Sequence, residues 1–349
     1  MKNMLIGQNS EIVEHALGVK EDSAKYATSF QEAVDKFAIQ LEYIERRCQD
    51  ALANPDEMLI LTTKAMMDMC NAAERLEIAV NFDAAALKEA RIHLRERTNL
   101  IFSRSFFNRG RTWPQGHPGD YSMIEFLYRN TPVSNGIGAY LDRYFLATTL
   151  SVAVRERKET LRDLLADELK KRSQPRILDV ACGSCRELLE LASDIERTQA
   201  RVTCIDFDSD ALDFALQRIS HVGTASESMA FRKYNALKMV NHERNVKEFG
   251  MQDVIYSVGF FDYLDDELLV RLLGSLFALL SPGGTLIASF KDCRRYRTFD
   301  TSWLLDWDAF YQRTEENMWD LLSRAGIPRT SLTMTREKSG VIVFFLATK

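Results

Sequence analysis

From Pro175 to the C-terminus, short apolar runs alternate with segments of helical spacing, and no other feature restricts the fold as much. A strand covered on both faces reads as a short apolar run, and a helix between two such runs returns the chain to begin the next strand in parallel. Strands are predicted at 176–180, 201–205, 229–234, 253–258 and 284–289, with a helix in each gap. Runs at 331–335 and 340–348, on either side of Glu337-Lys338-Ser339-Gly340, predict an antiparallel hairpin. The expected class is α/β, a mostly parallel sheet closed by a C-terminal antiparallel hairpin.

The residues upstream have a different texture. From Ser10 to about Glu96 there is no glycine after Gly18 and one proline, Pro55, while Val34, Phe37, Leu41 and Ile44 recur at helical spacing. Several amphipathic helices are expected. Around 101–121, Phe102, Phe106, Phe107, Trp113 and Tyr121 mix with Arg104, Arg109, Arg111 and turn formers, which predicts an aromatic-rich irregular loop. A proline-free amphipathic stretch from Tyr140 to Lys171 reads as a connecting helix. The expected organisation is therefore a helical domain over 1–135, a connecting helix over 136–174 and the sheet domain over 175–349.

Charge and hydropathy narrow the function classes. Forty-five Lys and Arg against 50 Asp and Glu leave a net charge of -5, without the basic excess that nucleic-acid binding uses. The longest apolar run, Val341 to Ala347, has 7 residues, where a membrane-spanning helix takes about 20. The N-terminal Met1-Lys2-Asn3-Met4-Leu5-Ile6-Gly7-Gln8 turns polar too soon for a secretory signal, so no membrane association and a cytoplasmic location are expected. Six scattered cysteines read as free thiols.

The chemistry concentrates where the first predicted strand meets its helix. Asp179-Val180-Ala181-Cys182-Gly183-Ser184-Cys185-Arg186-Glu187 places small residues at a strand-to-helix turn, where backbone can approach a ligand near the positive end of the helix. The second strand ends in Asp206, 23 residues after Gly183, the place of a carboxylate that accepts from ribose hydroxyls. Further on come Asn235-Ala236, then Ser257-Val258-Gly259-Phe260-Phe261-Asp262-Tyr263, then Ser281-Pro282-Gly283-Gly284.

This ordered set resembles the class I S-adenosylmethionine (SAM) dependent methyltransferases over roughly 175–349. The resemblance implies a Rossmann-like SAM-methyltransferase fold with SAM as cofactor. It implies that Asp179, Ala181, Gly183 and Glu187 meet the methionine part, Asp206 the ribose, and Phe207, Asn235 and Ala236 the adenine. Ser257, Gly259 and Phe260 would line the floor beneath the sulfonium. Ala181 and Cys185 stand where the family has glycines, and Asn235 where an aspartate is commoner. Upstream, Gly119-Asp120-Tyr121, Tyr140-Leu141-Asp142-Arg143 and Ala153-Val154-Arg155-Glu156-Arg157 are similar to a branch of bacterial enzymes linked to methyl 3-hydroxypalmitate synthesis.

Plainer readings compete with these. Cys182 and Cys185 form a C-x-x-C, but a lone pair supplies too few thiolates for a structural zinc site, and the five histidines show no ligand spacing. No metal is expected. The aromatic residues Phe106, Phe107, Trp113, Tyr121, Tyr128, Tyr140 and Tyr144 would be core, or a cage for the sulfonium. Arg143, Arg155 and Arg157 would be a solvated helix face, or a clamp for a carboxylate together with Tyr140. Tyr121, Asp262 and Tyr263 are the catalytic candidates, and His117 is a further acid or base candidate.

The expected function is methyl transfer from SAM to a small-molecule acceptor, a carboxylic acid or amino-acid-like metabolite being one class. Two alternatives stand beside it: a SAM-cleaving cyclase or lyase giving azetidine-2-carboxylate and 5′-methylthioadenosine, and a non-catalytic SAM-binding module. A homodimer is left open.

Overall fold

The computed structural model describes residues 5–50, 52–222 and 227–349, with side chains from residue 26 onward. Met1 to Met4, where the reading of the N-terminus began, lie outside the described residues. The chain divides into two compact units: Met1–Thr112, Thr131–Leu146 and Thr298–Asp306 form one, and Trp113–Asn130, Ala147–Arg297 and Trp307–Lys349 the other. Sequence analysis expects consecutive segments, whereas these units interleave along the chain.

The first unit is helical. Helices α1 (Leu5–Arg47), α2 (Pro55–Ala79) and α3 (Ala84–Phe102) pack together, with the predicted stripe Val34, Phe37, Leu41 and Ile44 buried, as are Met58 and Met66 of α2 and Leu94 of α3. Asn54 and Asp83 cap α2 and α3 by accepting the amides of Asp56 and Ala86, and Pro55 occupies the first turn, where its missing N–H costs nothing. The stretch expected to be an irregular aromatic loop begins instead as a short 3-10 turn, Phe106–Asn108, and helix α4 (Arg109–Thr112). Phe107 supplies the reason, since its ring stacks on Phe145 at 4.4 Å in the core. The late segment 298–306 returns to this unit through Trp303, whose ring lies 5.2 Å from that of Phe30 and whose indole N–H donates to Glu77 at 2.8 Å.

Asp142 joins this unit's loops. It is fully buried and accepts from the Ser105 hydroxyl (2.7 Å) and from the amides of Phe106 (3.0 Å), Val133 (3.1 Å) and Ser134 (3.0 Å). Asp142→Ala leaves several buried donors unsatisfied, each costing about 1–3 kcal/mol, so a loss of at least about 3 kcal/mol is expected in urea unfolding. Asp142→Asn, which keeps one oxygen, should lose less.

The second unit carries the sheet. Strands β1 (Arg176–Val180), β2 (Arg201–Asp206), β3 (Met229–Lys233), β4 (Gln252–Ser257), β5 (Leu280–Lys291), β6 (Leu332–Arg336) and β7 (Ile342–Thr348) are ordered β3-β2-β1-β4-β5-β7-β6. The first five run parallel, and β7 pairs antiparallel with both β5 and β6. This is a Rossmann-like doubly wound sheet with an antiparallel hairpin, the class the apolar runs predict. One face packs on α7 (Thr149–Lys170), α8 (Arg186–Glu190), α9 (Ala192–Thr198) and α10 (Ser209–Ile219). The other packs on α11 (His242–Phe249), α12 (Asp266–Ala278) and α13 (Glu315–Arg324).

Helix α5 (Tyr121–Arg129) belongs to this sheet unit, and α6 (Ile137–Ala147) lies largely in the helical one. The single connecting helix expected over 136–174 is thus two helices. Thr148 breaks it: its backbone leaves the helical region at ψ 150°, and its hydroxyl accepts the Ser151 amide to start α7. Among the described residues no helix is long and apolar enough to cross a membrane.

Candidate active site

In a doubly wound sheet, ligands bind beyond the carboxyl ends of the strands, where the order reverses, here between β1 and β2 on one side and β4 on the other. The turn leaving β1 has left-handed backbone at Ala181 (φ +59°), Gly183 (φ +54°) and Cys185 (φ +48°). At Gly183 a side-chain carbon would meet no atom within 4 Å, so the backbone there faces open space. Its amide donates to Asp206 Oδ2 at 2.9 Å, and the Asp208 amide donates to Asp206 Oδ1 at 2.9 Å. The tip of β2 is thereby tied to the loop with one lone pair on each carboxylate oxygen to spare. Burial pushes the Asp206 carboxyl up, and the nearby His117 imidazole favours its charged form. Phe207 beside it is 68% exposed, with Lys233 Nζ 5.9 Å from the centre of its ring.

Below the loop, Glu187 and Asp179 are buried near the Tyr256 phenol, which donates to Glu187 Oε1 at 3.1 Å. Desolvation raises both carboxyls, Glu187 to about 7. An organic cation brought against Glu187 would draw it back to the carboxylate. Asp179 faces the thiols of Cys185, at 3.9 Å, and Cys182 rather than the open side of the loop.

The remaining expected cofactor residues have contacts within the protein. Ser257 is fully buried and gives its hydroxyl to the Val180 carbonyl at 2.7 Å, locking β4 to β1. Asn235 accepts the Leu237 amide at 2.9 Å and so caps the turn that holds Ala236. Gly259 has φ +87°, and a Cβ there would stand 2.6 Å from Nη1 of Arg157. Glycine is therefore required for that guanidinium to reach the floor formed by Gly259 and Phe260.

Arg157 is buried rather than solvated. Its charge favours the ionised forms of Tyr128 and Glu187, and its Nε has no hydrogen-bond partner. Arg155, one turn-half away on α7, is half-buried. Tyr140 and Arg143 lie in the helical unit, the exposed Arg143 guanidinium 5.5 Å from the Tyr140 ring. Of the aromatic set, Phe107 is core, and Tyr144 donates to Asp300 at 2.8 Å.

Asp262 and Tyr263 follow β4 in a short turn. Asp262 is buried and paired with Lys291, accepting from its Nζ at 2.6 Å and from its amide at 3.1 Å. Lys291 Nζ also lies 3.7 Å from the centre of the Phe310 ring, while Trp307 donates to the Tyr263 hydroxyl at 2.8 Å. Burial pushes the Tyr263 phenol up, so it is a proton donor and not a base at neutral pH. Lys291 and Phe310 were not singled out from the sequence, although a lysine ending an otherwise apolar strand is a readable signal. Tyr121 stands over Phe214 at 5.1 Å on α5. Glu125, on the same helix, holds it by accepting from Arg218 of α10 at 2.7 Å and Arg186 of α8 at 3.1 Å.

Residues 177–284 match the family described as a methyltransferase domain. With the β3-β2-β1-β4-β5-β7-β6 sheet, this segment belongs to the class I SAM-dependent methyltransferase superfamily, whose cofactor is S-adenosyl-L-methionine. Among solved structures, the chain is similar to a possible exported protein from Bordetella parapertussis, at 18% identity and TM-score 0.55, over 94% of this chain and 96% of that one. It is also similar to magnesium protoporphyrin IX methyltransferase from Synechocystis PCC 6803, at 16% identity and TM-score 0.42, over 57% and 83%. A third is the N-methyltransferase NodS from Bradyrhizobium japonicum, at 17% identity and TM-score 0.39, over 56% and 87%. No curated protein matches the chain.

Proposed function

We propose that the chain is a SAM-dependent methyltransferase whose acceptor is a small molecule carrying a carboxylate. One observation supports the acceptor class above others: Arg157 is buried at the floor glycine, Gly259, with its Nε unpartnered. A buried guanidinium with a vacant donor is matched by an oxyanion, which it holds through paired hydrogen bonds.

The residues present fit the cofactor. The open backbone at Gly183 would admit the methionine part, Glu187 would offer an anion to its ammonium group, and Asp206 would accept from the ribose hydroxyls. Phe207 would cover one adenine face, with Asn235 and Ala236 at its edge. Bound SAM supplies a methyl group already activated by its sulfonium. The protein's share is alignment and exclusion of water, since a carboxylate acceptor needs no base. Arg157 would orient the acceptor, and Tyr263, kept protonated and aimed by Trp307, would donate a hydrogen bond rather than take a proton. Asp262 would act as a positioning residue, fixing Lys291 beneath the ring of Phe310. The six cysteines, all free, suit a reducing cytoplasm.

The test is mass spectrometry of the purified chain with SAM, alone and with a panel of aliphatic and amino acids. S-Adenosylhomocysteine that forms only with an acid, together with the methyl ester of that acid, is the expected result. 5′-Methylthioadenosine formed from SAM alone would replace this reading with the cyclase or lyase. Once an acid acceptor is in hand, Arg157→Gln should raise its KM about 10–100-fold, the worth of a hydrogen bond to a charged group. The affinity of the corresponding amide should not change.

A further inference from the structure

Three thiols and a carboxylate meet under the loop that follows β1, and they come from three stretches of chain. Asp179 of β1 and Cys204 of β2 are direct partners in the parallel ladder, so they stand on the same face of the sheet. Cys182 and Cys185 come from the turn itself, which the Cys185 amide closes by donating to the Cys182 carbonyl at 3.1 Å. The ligand atoms of Asp179, Cys182 and Cys185 all lie within 4.8 Å of one another. Cys204 shares their buried cluster, outside that 4.8 Å group. All four side chains are buried, in a core otherwise built from residues such as Leu188, Val202 and Leu161.

Such a set is costly in an apolar core. A carboxylate and three thiolates in one apolar pocket would repel one another, and burial already holds Asp179 above the usual carboxylate range. A divalent cation with an affinity for thiolate removes that cost. We propose that Asp179, Cys182, Cys185 and Cys204 form a tetrahedral zinc site that fixes the cofactor loop to the sheet.

Zinc–sulfur bonds of about 2.3 Å would place neighbouring sulfurs about 3.8 Å apart, so Asp179, Cys182 and Cys185 close from their present spacing by small side-chain rotations, and Cys204 must turn its thiol toward them. Three sulfurs and one oxygen suit zinc and exclude the oxygen-seeking magnesium and calcium. Four protein ligands leave no position for water, which makes the site structural rather than catalytic. The Tyr256 phenol near Asp179 would serve as the outer contact that orients a ligating carboxylate. Coordination would release the thiol protons, so zinc affinity should fall with acid. The C-x-x-C alone offers two thiolates, and the fold adds the other two ligands.

The experiment uses the full chain, purified without chelator from zinc-supplemented cells. Elemental analysis after dialysis should give close to one zinc per chain, falling to background in Cys182→Ser/Cys185→Ser. Metal-stripped protein titrated with cobalt should develop tetrahedral ligand-field bands and thiolate-to-cobalt charge transfer. Zinc no higher than in the double variant, or an octahedral cobalt spectrum, overturns the proposal. So does a Cys182–Cys185 disulfide in freshly purified protein. Should the double variant fail to fold, Cys204→Ser decides: loss of zinc to a chelator should quicken at least tenfold, and an unchanged rate overturns the assignment.

Discussion

Replacing Asp206 with alanine is expected to weaken SAM binding at least about a hundredfold. Each hydrogen bond from a ligand hydroxyl to a carboxylate contributes about 1.5–3 kcal/mol, and two such bonds exceed the 2.7 kcal/mol that a hundredfold represents. The substitution also removes the acceptor of the Gly183 and Asp208 amides, so the loop after β1 loses its tie to the tip of β2. Asp206→Asn separates the two contributions, because it keeps one acceptor oxygen and replaces the other with a donor. Isothermal titration of SAM and S-adenosylhomocysteine should rank wild type, then Asn, then Ala, for both ligands alike. Equal affinity in all three would show that the ribose is held elsewhere.

A second large effect is expected at Lys291. Its ion pair with Asp262 is buried on both sides, and burial outweighs the attraction, holding the lysine below its ordinary pKa. Such a pair adds little net stability, yet removing one member strands the other. Lys291→Met should therefore cost about 3–5 kcal/mol in urea unfolding, with the Asp262 carboxylate left only the Lys291 backbone amide. The double change Lys291→Met/Asp262→Leu should recover most of that loss, since apolar residues of similar volume replace buried pairs at little cost. If the pair only supports the fold, the double variant also regains turnover. If it aligns Tyr263 and Phe310 for the acceptor, stability returns and turnover does not.

Much of the sheet unit was legible in the chain. The β1 strand was predicted at its observed bounds, and the other strands within a few residues, because a strand covered on both faces has no choice but continuous apolar sequence. Asp206 and the loop glycine could be placed side by side by counting, since a strand–turn–helix fixes where backbone and carboxylate fall. The break at Thr148 escaped periodicity, as its apolar stripe continues on either side and only the cap shows where the helix stops. Arg157 also escaped: on its own helix it is one of three arginines, and its burial is set by Gly259, about a hundred residues on, whose missing side chain makes room for it.

The sequence by itself thus determined the α/β class, the order of strands and turns, the adjacency of the Gly183 loop and Asp206, and the helical stripe of the first unit. These depend on local periods and short spacings, which act within a few residues of themselves. The tertiary structure alone decided the interleaving of the two units, the pairing of Asp262 with Lys291 and the burial of Arg157. It also brought Cys204 and Asp179 to Cys182 and Cys185. Each of these follows from strand register and crossover, which set residues far apart in sequence side by side, and no property of either residue alone announces its partner.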